Sequence, residues 1–216
     1  MTTPLPPPRV GGRSLGKVRH ICAFFNSKDE EHRTLSGFIQ EGLKQNEKAA
    51  HFVNCLCQAD HRERLRQNGI DVDAAEKSGQ LEISTWEDAY LKDGHFDQHR
   101  QLKLLEDVLI AGRNEGYVQT RLIANMEWAL EAKAGVEDIV EYESRLNTVL
   151  PNYPDPVICT YDLSRFNAGV AMDILRTHPM VILGGVLQEN PLYVPPDEFL
   201  AELKERRGKP VPSAID

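Results

Sequence analysis

Apolar positions along this chain come in short runs, separated by polar stretches in which hydrophobic residues recur at helical spacing. Val18-Arg19-His20-Ile21-Cys22-Ala23-Phe24-Phe25 closes on five successive apolar residues and reads as a buried strand. Leu35, Phe38, Ile39 and Leu43 then recur every three or four residues, the stripe of an amphipathic helix. A second strand is expected over Ala49 to Cys55. A polar helix over Asp60 to Gln67 is stopped by Asn68-Gly69, and a short helix over Val72 to Lys77 ends at Gly79. Leu81 to Trp86 alternates with period two as strand three, and Tyr90 to Phe96 is a loop turning at Asp93-Gly94. A helix over Asp97 to Ala111 presents Leu102, Leu105 and Leu109, and strand four follows over Gln119 to Ala124. A helix over Val136 to Leu150 stops at Pro151, and strand five is Val157 to Tyr161. Asn167 to Thr177 is helical, Met180 to Val186 is strand six, and a last helix runs Asp197 to Arg207 with Asp197 as its N-cap.

Strands that alternate with helices pair in parallel through right-handed crossovers, so the pattern predicts an α/β fold with a mainly parallel sheet between helical layers. At 216 residues, with 41% apolar and 27% charged side chains, one such domain accounts for the chain. No internal repeat or composition break divides residues 17–207. The stretch before it, 1–16, is rich in Pro and Gly and reads as a disordered arm rather than a signal peptide; 208–216 reads as a flexible tail. A net charge of −8 argues against a nucleic-acid backbone as direct partner. No apolar run approaches the ~20 residues needed to span a bilayer, so a cytoplasmic protein without membrane contact is expected.

The first strand, its loop and the following helix have the layout of a phosphate-binding loop, but the loop is wrong for phosphate. G-x-x-x-x-G-K-[ST] works because glycines let backbone N–H groups wrap the phosphates and a lysine neutralises them. Here no glycine lies between Lys17 and Gly37, and Asp29, Glu30 and Glu31 stand where phosphate would sit. In parallel α/β sheets ligands bind outside the carboxyl ends of the strands. That rule gathers Asn26, Ser27, Cys57, Trp86, Tyr90, Asn125, Met126, Glu127, Trp128, Asp162 and Phe166 on one rim. The set is aromatic with a few polar anchors, which suits a small, largely apolar ligand. Glu127 stands where a nucleotide hydrolase carries its magnesium-holding acid; without a phosphate loop, pairing with Arg121 or a loop N–H is expected instead. Asp162 is also placed to cap the turn Asp162-Leu163-Ser164.

No catalytic residue is expected, because no Ser/His/Asp or Cys/His grouping carries a nucleophile signature. Cofactors are expected to be absent. The four cysteines, Cys22, Cys55, Cys57 and Cys159, read as reduced thiols. Cys55-Leu56-Cys57 with His61 lacks the common C-x₂-C spacing of a zinc site. His20 and Cys22 share one face of the first strand and form a lesser alternative as a metal pair; a hydrogen-bonded histidine at the entry of a buried strand is the favoured reading. His178, just before strand six, lies at the end of the sheet opposite the rim; a helix-ending structural role is the favoured reading, and a meeting with His20 at the sheet's amino-terminal edge is the lesser one.

Seven short stretches, in order, resemble a known family: His20 to Phe25, Gly42 to Val53, Tyr90 to Phe96, Asn125 to Leu130, Tyr142 to Asn147, Cys159 to Asp162 and His178-Pro179. They resemble the MEDS domain, the sensory domain named for methanogens, methylotrophs and the dichloromethane-response regulator, over nearly all of residues 17–193. The resemblance implies a RecA/KaiC-like three-layer α/β/α fold without a working phosphate loop. It also implies a sensory role towards small hydrocarbon derivatives, beside a DNA-binding or histidine-kinase output. Residues 194–216 are too short for such an output, so a signal is expected to pass through a partner protein such as a histidine kinase or regulator, or through homo-oligomerisation. The rival readings are a divergent nucleotide-binding protein or ATPase, for which Lys28 and Glu127 speak, and a protein-interaction adaptor.

Overall fold

A computed structural model of the chain describes residues 6–208. Seven strands form the central sheet, in the order β5 (Leu81–Thr85), β4 (Lys48–Val53), β6 (Thr120–Asn125), β7 (Val157–Asp162), β3 (His20–Phe25), β8 (Met180–Leu183), β9 (Val186–Glu189). All neighbours are parallel except β8 and β9. Every residue of β3 is buried: Ile21, Ala23 and Phe25 pack on one face, Cys22 and Phe24 on the other. Its register against β7 sets Cys22 beside Cys159 and Phe24 beside Tyr161.

One face is covered by α1 (Lys28–Lys44), α2 (Gln58–Gln67) and α3 (Val72–Lys77), through Leu35, Phe38, Ile39, Leu65 and Val72. The other is covered by α4 (Gln98–Asn114), α5 (Ile139–Val149), α6 (Ala168–Thr177) and α7 (Pro196–Arg207), through Leu105, Leu109, Val140, Leu146, Ile174 and Phe199. The result is the three-layer α/β/α sandwich the alternating pattern predicts.

Three expectations are corrected. Residues 9–14 of the supposed arm form a hairpin, β1 (Arg9–Val10) with β2 (Arg13–Ser14), turned by Gly11 and Gly12 at positive φ. Val10 and Leu15 are buried beneath it, and Leu187 of β9 donates its N–H to the Gly11 carbonyl. The glycines that suggest disorder make a tight turn instead. The strand read as Met180 to Val186 is two strands, because Gly184 and Gly185 both take positive φ and reverse the chain. The last helix starts one residue early: Pro195 is the N-cap and Pro196 the first helical residue, where a missing N–H costs nothing. The remainder of the arm, residues 1–5, and residues 209–216 of the tail lie outside the described residues.

Candidate functional site

At the carboxyl end of β3, Ser27 caps α1 by accepting the Glu30 N–H at 3.2 Å, and Glu30 reaches back to accept the Asn26 N–H at 2.9 Å. The helix terminus that would hold a phosphate is therefore satisfied by its own chain, and Asp29, Glu30 and Glu31 in the first turn answer its dipole. Across the rim, a short 3₁₀ turn over Met126–Leu130 follows β6 and aims the Glu127 carboxylate at α1. Lys28 Nζ lies 2.9 Å from Glu127 Oε1 and 3.2 Å from Glu31 Oε2, and Arg165 binds the other Glu127 oxygen. Asn125 donates to Glu127 at 3.3 Å, and Thr160 donates to Glu31 at 3.1 Å. Burial works to raise the Glu127 pKa, but hydrogen bonding and charge from Lys28, with Asn125 and Arg165, hold it below the usual carboxylate value. Glu127 pairs with these cations and not with Arg121, which points to the α1 face and binds Glu47, Glu41 and the Phe38 carbonyl.

Beside this network lie three histidines from three elements: His32 on α1, His51 on β4 and His61 on α2. His51 Nδ1 and His61 Nε2 are 2.9 Å apart. Burial pushes the His51 pKa down to about 3; burial together with His51 pushes His61 down to about 2. Both rings are neutral at ordinary pH, one donating to the other. The cleft enclosed by Lys28, Glu31, His32, Cys57, Asp60, His61, Asn125 and Glu127 has about 50 Å³ of room. Drug-sized ligands occupy sites of ~300–1,000 Å³. The cleft is lined by the protein's own paired charges.

The expected aromatic rim is not there. Trp86, Tyr90, Met126 and Trp128 are all at most 2% exposed and belong to the core. Tyr90 stacks on Trp128 at 4.8 Å between ring centres, and Phe96 packs on the other side of Trp128 at 4.4 Å. The loops that carry these rings leave the strand ends as predicted but fold back over the α4–α5 face. Of the other candidates, Asn26 and Ser27 cap α1, and Asp162 accepts the Ser164 N–H and hydroxyl. Cys57, Asn125 and Glu127 line the small cleft, and Phe166 lies elsewhere, in an apolar groove.

That groove, about 550 Å³, runs between α6 and the β8–β9 hairpin, where the ten-residue α6 leaves the sheet edge uncovered. Phe24 and Val181 form its floor, Phe166, Ala171, Met172 and Leu175 one wall, and Leu183, Pro191 and Leu192 the other. Met172, Leu183 and Leu192 are about half exposed and lie along this one groove, and it is such a contiguous apolar patch, rather than any single exposed residue, that marks a binding surface. Asn190 is committed: its amide donates to the carbonyls of Leu175 and His178 and its oxygen accepts the Leu192 N–H. Gln188, exposed on β9, is the lining's polar side chain that has no hydrogen-bond partner among the described residues. Reasoning from strand ends missed this groove because it lies along the sheet edge. Its sequence signal was the exposed-side residue Met172 on α6 and the apolar Pro191-Leu192 after β9.

His20 stands apart from both places, near the amino ends of the strands. It meets Glu143, Cys159 and His178 in a fully buried group, while the Cys22 thiol turns to the Met180 carbonyl at 3.7 Å. The pair His20–Cys22 is therefore not the metal pair that spacing suggested.

The layered sheet and the self-capped α1 define a RecA-like domain. A solved structure of a KaiC-like protein from the hyperthermophilic archaeon Pyrococcus horikoshii OT3 matches it with a TM-score of 0.53 at 18% identity, over 76% of this chain and 69% of that one. Such identity speaks for the fold alone. The family model for MEDS, the methanogen/methylotroph, DcmR sensory domain, matches residues 19–179, and the chain belongs to that family. It is 28% identical over 173 residues to the transcriptional repressor DcmR of Methylorubrum extorquens, which covers 79% of this chain and 62% of the repressor. The alignment thus spans somewhat under two thirds of that relative. No described helix is long and apolar enough to cross a membrane.

Proposed function

We propose that this sensory domain is non-catalytic, that it binds a small, largely apolar molecule in the groove between α6 and the β8–β9 hairpin, and that it acts in transcriptional control. The observation that carries the reading is the contrast in room and chemistry: the nucleotide position is closed by Lys28, Glu127 and Arg165, while the groove is open and lined by carbon. Phe24, Phe166 and Val181 supply apolar contact, and Gln188 supplies one hydrogen-bonding group to orient a halogen or oxygen substituent. A ligand seated there favours one arrangement of α6 against the hairpin, and a partner protein, a histidine kinase or regulator, or a second copy of the chain reads the difference. The likeness to a repressor supports the transcriptional setting.

Thermal unfolding against a panel of short alkanes, halogenated alkanes and small alcohols tests this. A ligand at 100 times its Kd stabilises by about 2.7 kcal/mol, or roughly 5–10 °C in Tm for a domain of this size. Such a shift is expected for at least one class and is expected to disappear in Met172→Glu. A panel without any response, or a shift produced by magnesium–ATP instead, overturns the reading.

A further inference from the structure

Four side chains from distant parts of the chain converge near the amino ends of the strands: His20 opens β3, Cys159 lies within β7, Glu143 is on α5 and His178 directly follows α6. All are buried, and their ligating atoms lie within 4.8 Å of one another. Nε2 of His20 and Nε2 of His178 are each 3.2 Å from the same oxygen, Glu143 Oε2. Cys159 Sγ is 3.7 Å from that oxygen and 3.9 Å from His20 Nε2.

The outer hydrogen bonds decide which protons point inward. Asn147 directs its amide nitrogen at the carbonyls of Glu143, Ser144 and Thr177, so its oxygen faces His20 Nδ1 at 2.9 Å and must accept. His178 Nδ1 lies 2.8 Å from the Ile174 carbonyl, which also can only accept. Both Nδ1 atoms therefore carry hydrogen, and in a neutral ring the Nε2 atom is left with a lone pair. Both lone pairs converge on a carboxylate, which is itself only an acceptor and whose other oxygen is held by the Tyr161 hydroxyl at 2.8 Å. Among the described residues His178 Nε2 has no hydrogen-bond donor. Three acceptors thus face one point, with the Cys159 thiol as a donor 3.7 Å from the carboxylate, and a cation between them would satisfy all three.

Protons are the alternative source of charge. A proton on one ring would neutralise the carboxylate but leave the other imidazole's lone pair facing it, and a proton on both would leave a net positive charge in the core. We propose that the cation is a single divalent zinc-like metal ion, held by His20 Nε2, His178 Nε2, Glu143 Oε2 and Cys159 Sγ. Bond lengths of about 2.0–2.1 Å to nitrogen or oxygen and about 2.3 Å to sulfur give tetrahedral edges of about 3.3 and 3.6 Å. Four of the six edges, at 3.2 Å and 3.7–3.9 Å, fit those lengths, and the other two, from His178 Nε2 to His20 Nε2 and to Cys159 Sγ, are within 4.8 Å and close as the ion binds. On binding, Cys159 gives up its thiol proton to solvent; the ion's two positive charges then cancel thiolate and carboxylate, and the site becomes neutral. Donors on His Nδ1 to Asn147 and Ile174, and from Tyr161 to Glu143, are the outer contacts that orient metal ligands. Four protein ligands leave no open position, so the ion's role is structural. It ties α5 and the end of α6 to the sheet.

The experiment uses the full chain, unfolded with a chelator and refolded with zinc, with cobalt or with neither. Zinc is expected to raise Tm and saturate at one equivalent, and cobalt to give a thiolate charge-transfer band with tetrahedral visible bands. Cys159→Ser should abolish the charge-transfer band and Cys22→Ser should keep it. If Cys159→Ser does not fold, the zinc titration of the parent chain decides alone. Equal Tm with and without metal overturns the proposal. So does a cobalt band that survives Cys159→Ser and is lost on replacing the exposed Cys55 and Cys57, which marks adventitious binding.

Discussion

Two shielded carboxylates, one near each end of the sheet, have been answered in opposite ways. Glu127, at the carboxyl ends, receives Lys28 and Arg165, two cations that belong to the chain and whose side chains are 39% and 48% exposed. Glu143, near the amino ends, is wholly buried and receives two imidazole nitrogens and a thiol. The first arrangement is complete as it stands, with each Glu127 oxygen paired to a cation. The second is incomplete until a cation enters. Where a charge is to be silenced, the chain supplies its partner on flexible, solvated side chains; where it is kept for a ligand, the surroundings are rigid, dry and made of acceptors.

The largest expected effect lies at Glu143. Glu143→Ala leaves His20, His178 and Tyr161 facing a cavity in the core and should cost about 3–5 kcal/mol, read by denaturant unfolding. Glu127→Ala leaves two cations that can turn to water and should cost about 1 kcal/mol. Equal costs would erase the distinction between the two carboxylates. The residue next to Glu127 sharpens it further, since one short turn sends Glu127 to the cleft and Trp128 into the core. Trp128→Ala should cost about 3–5 kcal/mol, whereas Trp128→Phe should cost far less, because the indole N–H has no hydrogen-bond partner among the described residues. A Trp128→Ala chain as stable as its parent would put the indole at an open surface.

The layering was readable from the sequence because short apolar runs alternate with helical stripes: Ile21-Cys22-Ala23-Phe24-Phe25, too short for a helix of its own and followed by the stripe Leu35, Phe38, Ile39 and Leu43, reads as a strand buried on both faces. The broken phosphate loop was equally readable, since glycine has no substitute there. Depth was not readable. The strand-end rule placed Trp86, Tyr90 and Trp128 at the correct edge, but whether a loop faces outward or folds back depends on what Phe96 and Tyr142 pack against, far along the chain. The hairpin at Arg9–Ser14 was hidden because Gly11-Gly12 reads alike as disorder and as a turn; Val10 and Leu15 were the clue. His20 was singled out with the wrong partner. Cys22 is its neighbour in sequence, while Cys159 reaches it only through the β3–β7 register and Glu143 only through the docking of α5.

Acid titration separates the Glu127 network from the rest of the fold. Its folded pKa lies below the usual 4.5, so its stabilisation is fully present above that value and is lost as pH falls through the folded value. Lys28→Ala removes the first cause of the depression and raises the folded pKa. The variant should be less stable than its parent at neutral pH, and the gap should narrow below pH 4.5. A gap independent of pH would mean that Lys28 acts by packing its stem rather than by its charge.

The smallest effect on stability, and the one that bears most on function, is expected in the groove. Met172 and Leu183 are 49% and 50% exposed, so Met172→Glu and Leu183→Glu should change unfolding free energy by no more than about 0.5 kcal/mol. Yet each sets a charge on the wall of an apolar channel, and a buried ligand without a countercharge cannot offset its desolvation. Both variants should therefore lose the ligand-induced rise in Tm that the parent shows, while Lys28→Ala, at the other end of the sheet, should keep it. The reverse outcome, a response that survives in both groove variants and vanishes in Lys28→Ala, would move the ligand into the 50 Å³ cleft and require Lys28, Glu127 and Arg165 to separate when it binds. The mirror carboxylates would then no longer differ in kind: each would be a site awaiting its ligand, one closed by a latch of salt bridges and the other by burial.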